Sequence, residues 1–269
     1  MSTERLFVGQ SFTPQLRGVN LVPPVVKSWS EASDAELAEY LQKHYAGEIN
    51  LHDYWNIGDT KTVRLSAIPA TGVEESHVEQ DVELQLVNAG GKELTNGTEC
   101  AFIVQIKNVL SNAGIENVYL QAETGKINKQ YTSIGGWKNS NRRQWCNNAF
   151  KNALPETTKN LFKAHKNKTS QGNAVMALEE SQDFFALPCT YNIFGEDYNA
   201  LPGEDNVHWA YYNTQEKRIK YNSANVPTWW WLRSPYAYSA PLWMLVNASG
   251  ESDFMEANVS YGLAPFGTI

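Results

Sequence analysis

The sequence predicts a mixed α+β fold in which short helices pack on small antiparallel sheets. A capping box near residue 34 opens an amphipathic helix. Several short segments then alternate apolar and polar residues, as half-buried strands do. A helical segment rich in Trp and Arg follows in mid-chain, and further strand patterns close the chain. Helices and strands are therefore grouped along the sequence, and this grouping indicates α+β.

The first 106 residues contain one predicted helix and three predicted strands. Residues 1–27 include three prolines and no helical period, so we expect an extended arm there. Ser33 and Glu36 can each bind the backbone N–H of the other, which predicts a helix over residues 34–46. The predicted strands, connected as an antiparallel meander through Gly-rich turns, are residues 62–68, 82–87 and 100–106.

The second half of the chain adds two short helices and more strands. Ser140 can cap a helix, and Pro155 can open another, because proline is tolerated at a first helical position. Residues 195–206 form an acidic loop, and residues 208–221 fit either a helix or a strand. The remaining predicted strands are residues 184–187, the tryptophan-rich segment 229–235, residues 245–247 and the neighbourhood of Gly262.

The composition is that of an acidic globular protein. Of 269 residues, 42% are hydrophobic and 19% charged, which argues against disorder and allows a full core. The net charge of −7 argues against nucleic acid as a partner, since phosphate binding needs concentrated Lys and Arg. The sequence shows no signal-peptide pattern and no apolar run near ~20 residues. We therefore expect synthesis in the cytoplasm without a signal peptide, and no membrane insertion.

The usual catalytic and cofactor motifs are missing from the sequence, so we predict no enzymatic activity and no cofactor. Cys100, Cys146 and Cys189 form no Cys-x-x-Cys pair and are interpreted as buried free thiols. Cys146 and His165 could form a nucleophilic pair, since such partners meet in space, but a structural thiol is favoured. The five histidines lack metal-ligand spacing, and we expect them at the surface or in local hydrogen bonds.

The acidic loop invites a calcium interpretation, because carboxylate and amide oxygens are ligands of Ca²⁺. Its spacing matches no EF-hand, so we favour a solvated loop and predict no metal. The candidate calcium ligands are Glu196, Asp197, Glu204 and Asp205, with Asn199 or Asn206 adding oxygens.

The tryptophan-rich segment 229–235 contains three consecutive tryptophans and then Arg233. Side chains alternate along a strand, so this segment needs cover on both faces or leaves one Trp exposed. Arg142, Arg143 and Arg233 could be taken for an anion site. We favour internal pairing of Arg233, because a guanidinium beside three tryptophans would be partly buried and must be paired.

Two motifs carry a family resemblance. Residues 135–150 read Gly-Gly-Trp-x-x-Ser-x-x-Arg-x-Trp-x-Asn-x-x-Phe, and residues 230–235 read Trp-Trp-Leu-Arg-Ser-Pro. The chain then continues to Gly-Leu-Ala-Pro-Phe at residues 262–266. Over residues 55–269 this pattern resembles a family of uncharacterised domains from gut Firmicutes and their phages. Members of that family end in a Trp-x-Arg-Ser-Pro strand and a Gly-x-x-Pro-Phe terminus.

The layout is also similar to the C-type-lectin-like fold, in its formylglycine-generating-enzyme branch and in the variable proteins of diversity-generating retroelements. The terminal region contains no cysteine where the generating enzymes have their catalytic pair, so the resemblance implies a fold and not that activity. The implied structural framework is Trp137, Arg143, Trp145, Trp230, Arg233, Pro235 and Gly262.

The similarity to variable proteins implies a ligand-facing surface in residues 236–244 and 251–260. Trp243 and Met244 are unusual for adenine-directed diversification of Asn codons and could instead be fixed core residues. The predicted ligand contacts are Tyr236, Tyr238, Ser239, Leu242, Trp243, Glu251, Asp253, Phe254, Asn258 and Ser260.

These observations predict two regions: an arm and helix over residues 1–50, for docking or oligomerisation, and a C-type-lectin-like ligand-binding domain over residues 51–269. The predicted function is non-enzymatic recognition of a bacterial surface protein or glycan by a receptor-binding protein of a phage or prophage tail. Such a protein would reside in the virion beside other tail proteins, with a homotrimer as one arrangement. The alternatives are a structural virion or cell-surface component and, less favoured, an enzyme of the formylglycine-generating type.

Overall fold

The computed structural model describes residues 25–70, 76–110, 118–119, 132–257 and 260–269. Within these ranges, short helices combine with several small antiparallel sheets, which confirms the mixed α+β class. Most of the predicted N-terminal arm, residues 1–24, lies outside them. None of the helices in the described ranges has the length and apolar run that crossing a bilayer requires.

The first helix, α1 (Asp34–Tyr45), has the predicted capping box. The Glu36 amide donates to Ser33 Oγ at 3.3 Å, and the Ser33 amide donates to Glu36 Oε2 at 2.9 Å. Both bonds satisfy N–H groups that a helix start leaves without partners. The helix packs on the rest of the protein through the buried side chains of Leu37, Tyr40 and Leu41. Its last residue adds a hydrogen bond, since the Tyr45 hydroxyl donates to the Ile269 carbonyl at 2.9 Å.

The other helices are short. They are α2 (Asn141–Trp145), α3 (Lys151–Ala153), α4 (Glu156–Lys159) and α5 (Thr190–Phe194), and a π-helical turn (Cys146–Phe150) joins α2 to α3. Ser140 caps α2 as predicted, because its Oγ accepts the Arg143 amide at 3.0 Å. Pro155 stands at the N-cap of α4, one residue before the first helical position where the sequence placed it.

Fourteen strands lie in the described ranges. They are β1 (Thr60–Leu65), β2 (Gln80–Ala89), β3 (Phe102–Ile106), β4 (Val118–Tyr119), β5 (His165–Ser170), β6 (Leu178–Asp183), β7 (Phe185–Ala186), β8 (Lys220–Tyr221), β9 (Pro227–Thr228), β10 (Trp230–Pro235), β11 (Leu242–Val246), β12 (Ser252–Glu256), β13 (Ser260–Tyr261) and β14 (Phe266–Thr268).

The largest sheet has the order β1-β2-β3-β14-β7, and every neighbouring pair is antiparallel. Its first three strands form the predicted meander. The last strand of the chain, β14, then inserts between β3 and β7, so the C-terminal end lies inside the sheet. All residues of β3 and β14 are buried, which places the main core on both faces of this sheet.

A second sheet, β10-β11-β12, contains the tryptophan-rich segment. Trp230, Trp231 and Leu232 are all completely buried, so both faces of β10 are covered. The sequence placed residues 242–244 in a ligand-facing loop, but they form the first half of β11, with Trp243 opposite Met255 of β12. Only residues 236–241 form the loop between β10 and β11.

Several elements were missed or left open by the sequence, among them β12, whose residues lie in the predicted ligand-facing stretch 251–260. The β5–β6 hairpin and α5 were not predicted, and residues 208–221 hold two 3₁₀ turns (Ala210–Tyr212 and Glu216–Arg218) and β8 rather than one element. The hairpin lacks an apolar alternation, because polar side chains such as Asn167 and Asp183 fill its inward positions.

Candidate functional site

The loop after β10 contributes to an exposed aromatic surface, which we define by Tyr198, Tyr236, Tyr238 and Phe254. The Tyr236 ring packs on Phe254 of β12 with centroids 4.5 Å apart and on Tyr238 with centroids 5.8 Å apart. The exposed fractions are 67% for Tyr238, 53% for Tyr198 and 37% for Phe254. Large rings with this exposure are typical of recognition surfaces, since they offer much contact area for few rotatable bonds.

Tyr198 joins this surface from the acidic loop. The Ala237 amide donates to the Asn199 carbonyl at 2.7 Å, and Ala200 forms a β-bridge with Tyr236, so the two loops run side by side. The Tyr198 ring packs against Phe194. The backbone of Tyr198 has φ +47°, a left-handed conformation that bulky residues rarely adopt. Sequence reasoning missed this residue, and the only signal for it was a lone aromatic side chain in an acidic loop.

The buried side chain of Glu204 links the segments beneath the aromatic surface through hydrogen bonds, and we call this group of buried bonds the base of the surface. Its Oε2 accepts a short hydrogen bond from Ser234 Oγ, and its Oε1 accepts the Ser170 amide at 2.9 Å. Ser234 Oγ also accepts the Thr190 amide at 3.0 Å. Burial raises the pKa of Glu204 to about 7, in spite of the nearby Arg233 charge. The segments that carry Ser170, Glu204 and Ser234 therefore meet at one buried carboxyl group. Ser234 lies two residues before Tyr236, so this contact holds the start of the loop.

Arg233 is completely buried and paired internally, as the sequence predicted. Its Nη1 donates to the Leu187 carbonyl at 3.0 Å, and its Nε donates to Thr169 Oγ1 at 3.2 Å. Its Nη2 lies 3.7 Å from Asp205 Oδ2, which also forms a short ion pair with Lys92. Burial alone would raise the pKa of Asp205, but the charges of Lys92 and Arg233 lower it to about 2.

The acidic loop is therefore not solvated along its whole length, and that prediction was wrong for Glu204 and Asp205. Both side chains turn inward. Glu204 accepts hydrogen bonds from the Ser170 amide and the Ser234 hydroxyl, and Asp205 pairs with the Lys92 ammonium. Their oxygens are engaged by the protein, whereas Glu196 at the other end of the loop is exposed. Within the described ranges, no group of three or more His, Cys, Asp or Glu side chains is arranged to hold a metal ion.

The predicted ligand contacts differ in accessibility. Trp243 is completely buried in β11, so its assignment as a ligand contact was wrong, and it is a core residue. Ser239 and Leu242 are half-buried, and Glu251 is exposed in the turn before β12. Asn258 lies outside the described residues. Ser260 belongs to β13, and its backbone pairs with Tyr119.

Asp253 and Phe254 point to opposite sides of β12, because side chains alternate along a strand. Phe254 packs with Tyr236. On the other side, burial raises the pKa of the Tyr261 phenol, and the charge of the Asp253 carboxylate raises it further. Tyr261 in turn stacks on Trp229 at 5.2 Å. The predicted contact residues therefore do not form one continuous patch, and Phe254 is the member of this strand beside the tyrosines.

The framework residues implied by the resemblance are almost all buried. Arg143 is bound at three points, since Nε donates to Asp183 Oδ1 at 2.5 Å and the two terminal nitrogens donate to backbone carbonyls. Trp137 Nε1 donates to the same carboxylate group at 3.1 Å. The buried members of the set are Trp137, Trp145, Trp230, Arg233, Pro235 and Gly262.

The three thiols are buried, as predicted. Burial raises the pKa of Cys100 and of Cys189 to about 12, so both remain protonated at neutral pH. Cys146 lies completely buried in the π-helical turn. The sequence predicts each histidine at the surface or in a local hydrogen bond, but the hydrogen-bond partner of His165 lies 103 positions later in the chain. His165 is completely buried, with Nδ1 at 3.2 Å from Thr268 Oγ1, and burial lowers its pKa to about 3.

The segments that carry the aromatic surface are acidic. Residues 195–206 contain four carboxylates and residues 236–257 contain three, and neither segment contains Lys or Arg. Glu204 and Asp205 are neutralised inside the protein, but Glu196, Glu251 and Glu256 are exposed. A partner that covers this face therefore meets aromatic rings bordered by negative charge.

Comparison with known proteins gives one result. A family model described as a domain of unknown function (DUF6273) matches residues 105–268. This range includes the Trp-Arg helix, the buried Arg233 and Glu204, and the whole aromatic surface. No curated protein matches the chain, and no solved structure matches it.

Proposed function

The chain belongs to the DUF6273 family, and from that premise we propose that it is a non-enzymatic binding protein whose recognition surface is the aromatic surface. One observation carries the proposal. The rings of Tyr236, Tyr238 and Phe254 pack together at the surface, above a base of buried hydrogen bonds. The loop that carries the exposed Tyr198 runs beside them. Rings that a rigid base holds in place lose little freedom on binding, so their contact area is converted efficiently into affinity.

We propose a C-type-lectin-like scaffold for this surface. The combination of short helices, small antiparallel sheets and a loop-bearing sheet at the site is compatible with that fold. The corresponding role is recognition of a bacterial surface protein or glycan, in a receptor-binding protein of a phage or prophage tail. The exposed carboxylates at the surface favour a partner that presents Lys or Arg beside apolar groups, because a cationic group can face both the carboxylates and the rings.

The test is adsorption of the purified, fluorescently labelled protein to a panel of gut Firmicutes cells and to a glycan array. The double variant Tyr236→Ala/Tyr238→Ala should bind at least ~30-fold more weakly, because truncating even one central aromatic residue of an interface costs about 2 kcal/mol or more. Tyr54→Ala is the matched control. Tyr54 is 37% exposed, like Phe254, and lies outside the aromatic surface.

Three outcomes separate the alternatives. Loss of adsorption in the folded double variant, with normal adsorption of the control, supports the proposal. Undiminished adsorption of the double variant contradicts it. A wild-type protein that adsorbs to no cell but forms an oligomer, which the double variant dissociates in analytical ultracentrifugation, favours the structural assembly role instead.

A further inference from the structure

A cleft elsewhere on the protein shares no residue with the aromatic surface. It occupies about 550 Å³ between the end of α1, the turn at residues 94–98 and the segment that leads into β5. Small-molecule sites in proteins typically have volumes of about 300–1,000 Å³. The cleft is therefore large enough for a small organic ligand.

The walls of this cleft are fixed by hydrogen bonds. The Tyr45 hydroxyl accepts the Ala101 amide at 2.9 Å and donates to the Ile269 carbonyl at 2.9 Å. The Lys163 amide donates to the Thr268 carbonyl at 2.7 Å, and Thr268 Oγ1 donates back to the Lys163 carbonyl at 2.9 Å. Because both sides are tied to the C-terminal strand, the cleft is formed before any ligand arrives.

The lining has an apolar part and a polar part, and the polar part offers hydrogen-bond donors. The rings of Tyr45, Phe162 and Phe184 form the apolar part. In the polar part, Asn96 Oδ1 is occupied by the Thr98 amide at 3.1 Å and the Thr98 hydroxyl at 2.8 Å. This leaves the Asn96 amide nitrogen as a donor. Lys163 is exposed, and its ammonium has no ion pair or hydrogen bond to any other described residue.

No negatively charged side chain lines the cleft. None of its lining residues is Asp or Glu, although the chain as a whole has a net charge of −7. The ammonium of Lys163 and the amide donor of Asn96 therefore face a ligand without competition from a lining carboxylate. Such a set of donors selects an anionic group, and a carboxylate can accept from both.

We propose that this cleft binds a small carboxylate with an aromatic or alkyl body. The body lies against the rings of Tyr45 and Phe184, and the carboxylate faces the rim where Lys163 and Asn96 stand. This site does not depend on the aromatic surface, so it can be present or absent whatever the partner of that surface is.

The experiment uses two matched probes, 3-phenylpropionate and 3-phenylpropionamide, with the full chain and ligand-observed NMR titration. The two probes differ only in the charge of the polar end. We expect the acid to bind at least ~10-fold more tightly than the amide, which corresponds to about 1.4 kcal/mol for a charge-assisted contact. Lys163→Met should abolish that preference while it leaves amide binding unchanged, and Phe184→Ala should weaken both probes.

Lys168→Met is the matched control, because Lys168 is also an exposed lysine but does not line this cleft. It should keep the preference for the acid. The proposal is overturned if the wild-type protein binds neither probe, if it binds both equally, or if Lys163→Met and Lys168→Met behave alike. Lys163 is exposed, so its replacement leaves the core intact and the comparison stands on folded protein.

Discussion

Glu204 provides a pH-dependent test of the buried base beneath the aromatic surface. Its carboxyl group is completely buried, and burial raises its pKa from 4.5 to about 7. A glutamate whose folded pKa is raised binds its proton more tightly in the folded state than in the unfolded state. Its contribution to stability is therefore greatest below pH 4.5, falls as the pH rises, and reaches its lowest value above pH 7.

The magnitude follows from the two pKa values. At about 1.4 kcal/mol per pKa unit, a rise from 4.5 to about 7 corresponds to a loss of about 3 kcal/mol across that interval. Glu204→Gln removes this dependence, because the amide keeps the shape of the protonated acid. Its oxygen can still accept the Ser170 amide, and its NH₂ group can donate to Ser234 Oγ.

The assay is urea denaturation followed by Trp fluorescence at several pH values between 4.5 and 7.5, at constant ionic strength. The free energy of unfolding of Glu204→Gln, minus that of the wild type, should rise by about 3 kcal/mol over this range. Taking the difference removes the contributions of other groups. Glu196→Gln, a change at an exposed residue of the same loop, is the control and should follow the wild-type profile. A Glu204→Gln difference that stays constant with pH would refute the reasoning.

Two further predictions concern His165 and Trp243, which are buried in the structure although the sequence placed them elsewhere. Burial lowers the pKa of His165 to about 3, so the folded state binds fewer protons than the unfolded state, and stability from this group is lost as the pH falls from 6.5 towards 3. NMR titration of the imidazole should show no protonation in the folded protein above pH 4.5, and a midpoint near 6.5 would contradict its burial. Trp243→Ala should destabilise the protein by about 3–5 kcal/mol in urea denaturation, because the ring is completely buried, whereas Tyr238→Ala should change stability by no more than about 0.5 kcal/mol. Equal losses in these two variants would show that the assignment of core and surface is wrong.

Local signals in the sequence predicted local structure well. The capping box of Ser33 and Glu36 and the cap at Ser140 each depend on residues three positions apart, and both are formed. The alternating segments that became β1 and β2 place apolar side chains in the core, so periodicity was enough to find them. β3 was found instead as a short, mostly apolar run, and all of its residues are buried.

The burial of the acidic loop could not be predicted in this way. Glu204 is held by Ser170, which lies 34 positions earlier, and by Ser234, which lies 30 positions later. No pattern within the loop distinguishes it from the exposed Glu196. The β5–β6 hairpin also escaped prediction, since its inward positions hold polar side chains such as Asn167. Asn167 is satisfied by Asp183 across the hairpin and by Lys92, which lies 75 positions earlier.

The interior of the candidate site was predicted more fully than its surface. Internal pairing of Arg233 followed from elementary electrostatics, because a guanidinium among tryptophans must find acceptors. Trp243 was assigned to the ligand contacts because the resemblance to variable proteins implied a ligand-facing surface over residues 236–244, whereas the alternative of a fixed core residue is the one that the buried strand β11 supports. Tyr198 was missed because its loop meets the loop after β10 through the bridge between Ala200 and Tyr236, a contact that sequence spacing does not encode.

The buried ions explain why this part of the molecule is so polar inside. A buried ion pair adds little net stability, since the loss of hydration offsets most of the attraction between the charges. Lys92, Asp205 and Arg233 nevertheless join three segments that are far apart in sequence, and Glu204 joins the same loop to the residue after Arg233. Alternative registers of the loop would leave these charges without partners, and that cost disfavours them strongly. We therefore infer that the ionic base serves to position the aromatic surface, because it permits one placement of the loop that carries Tyr198 against the loop that begins at Tyr236.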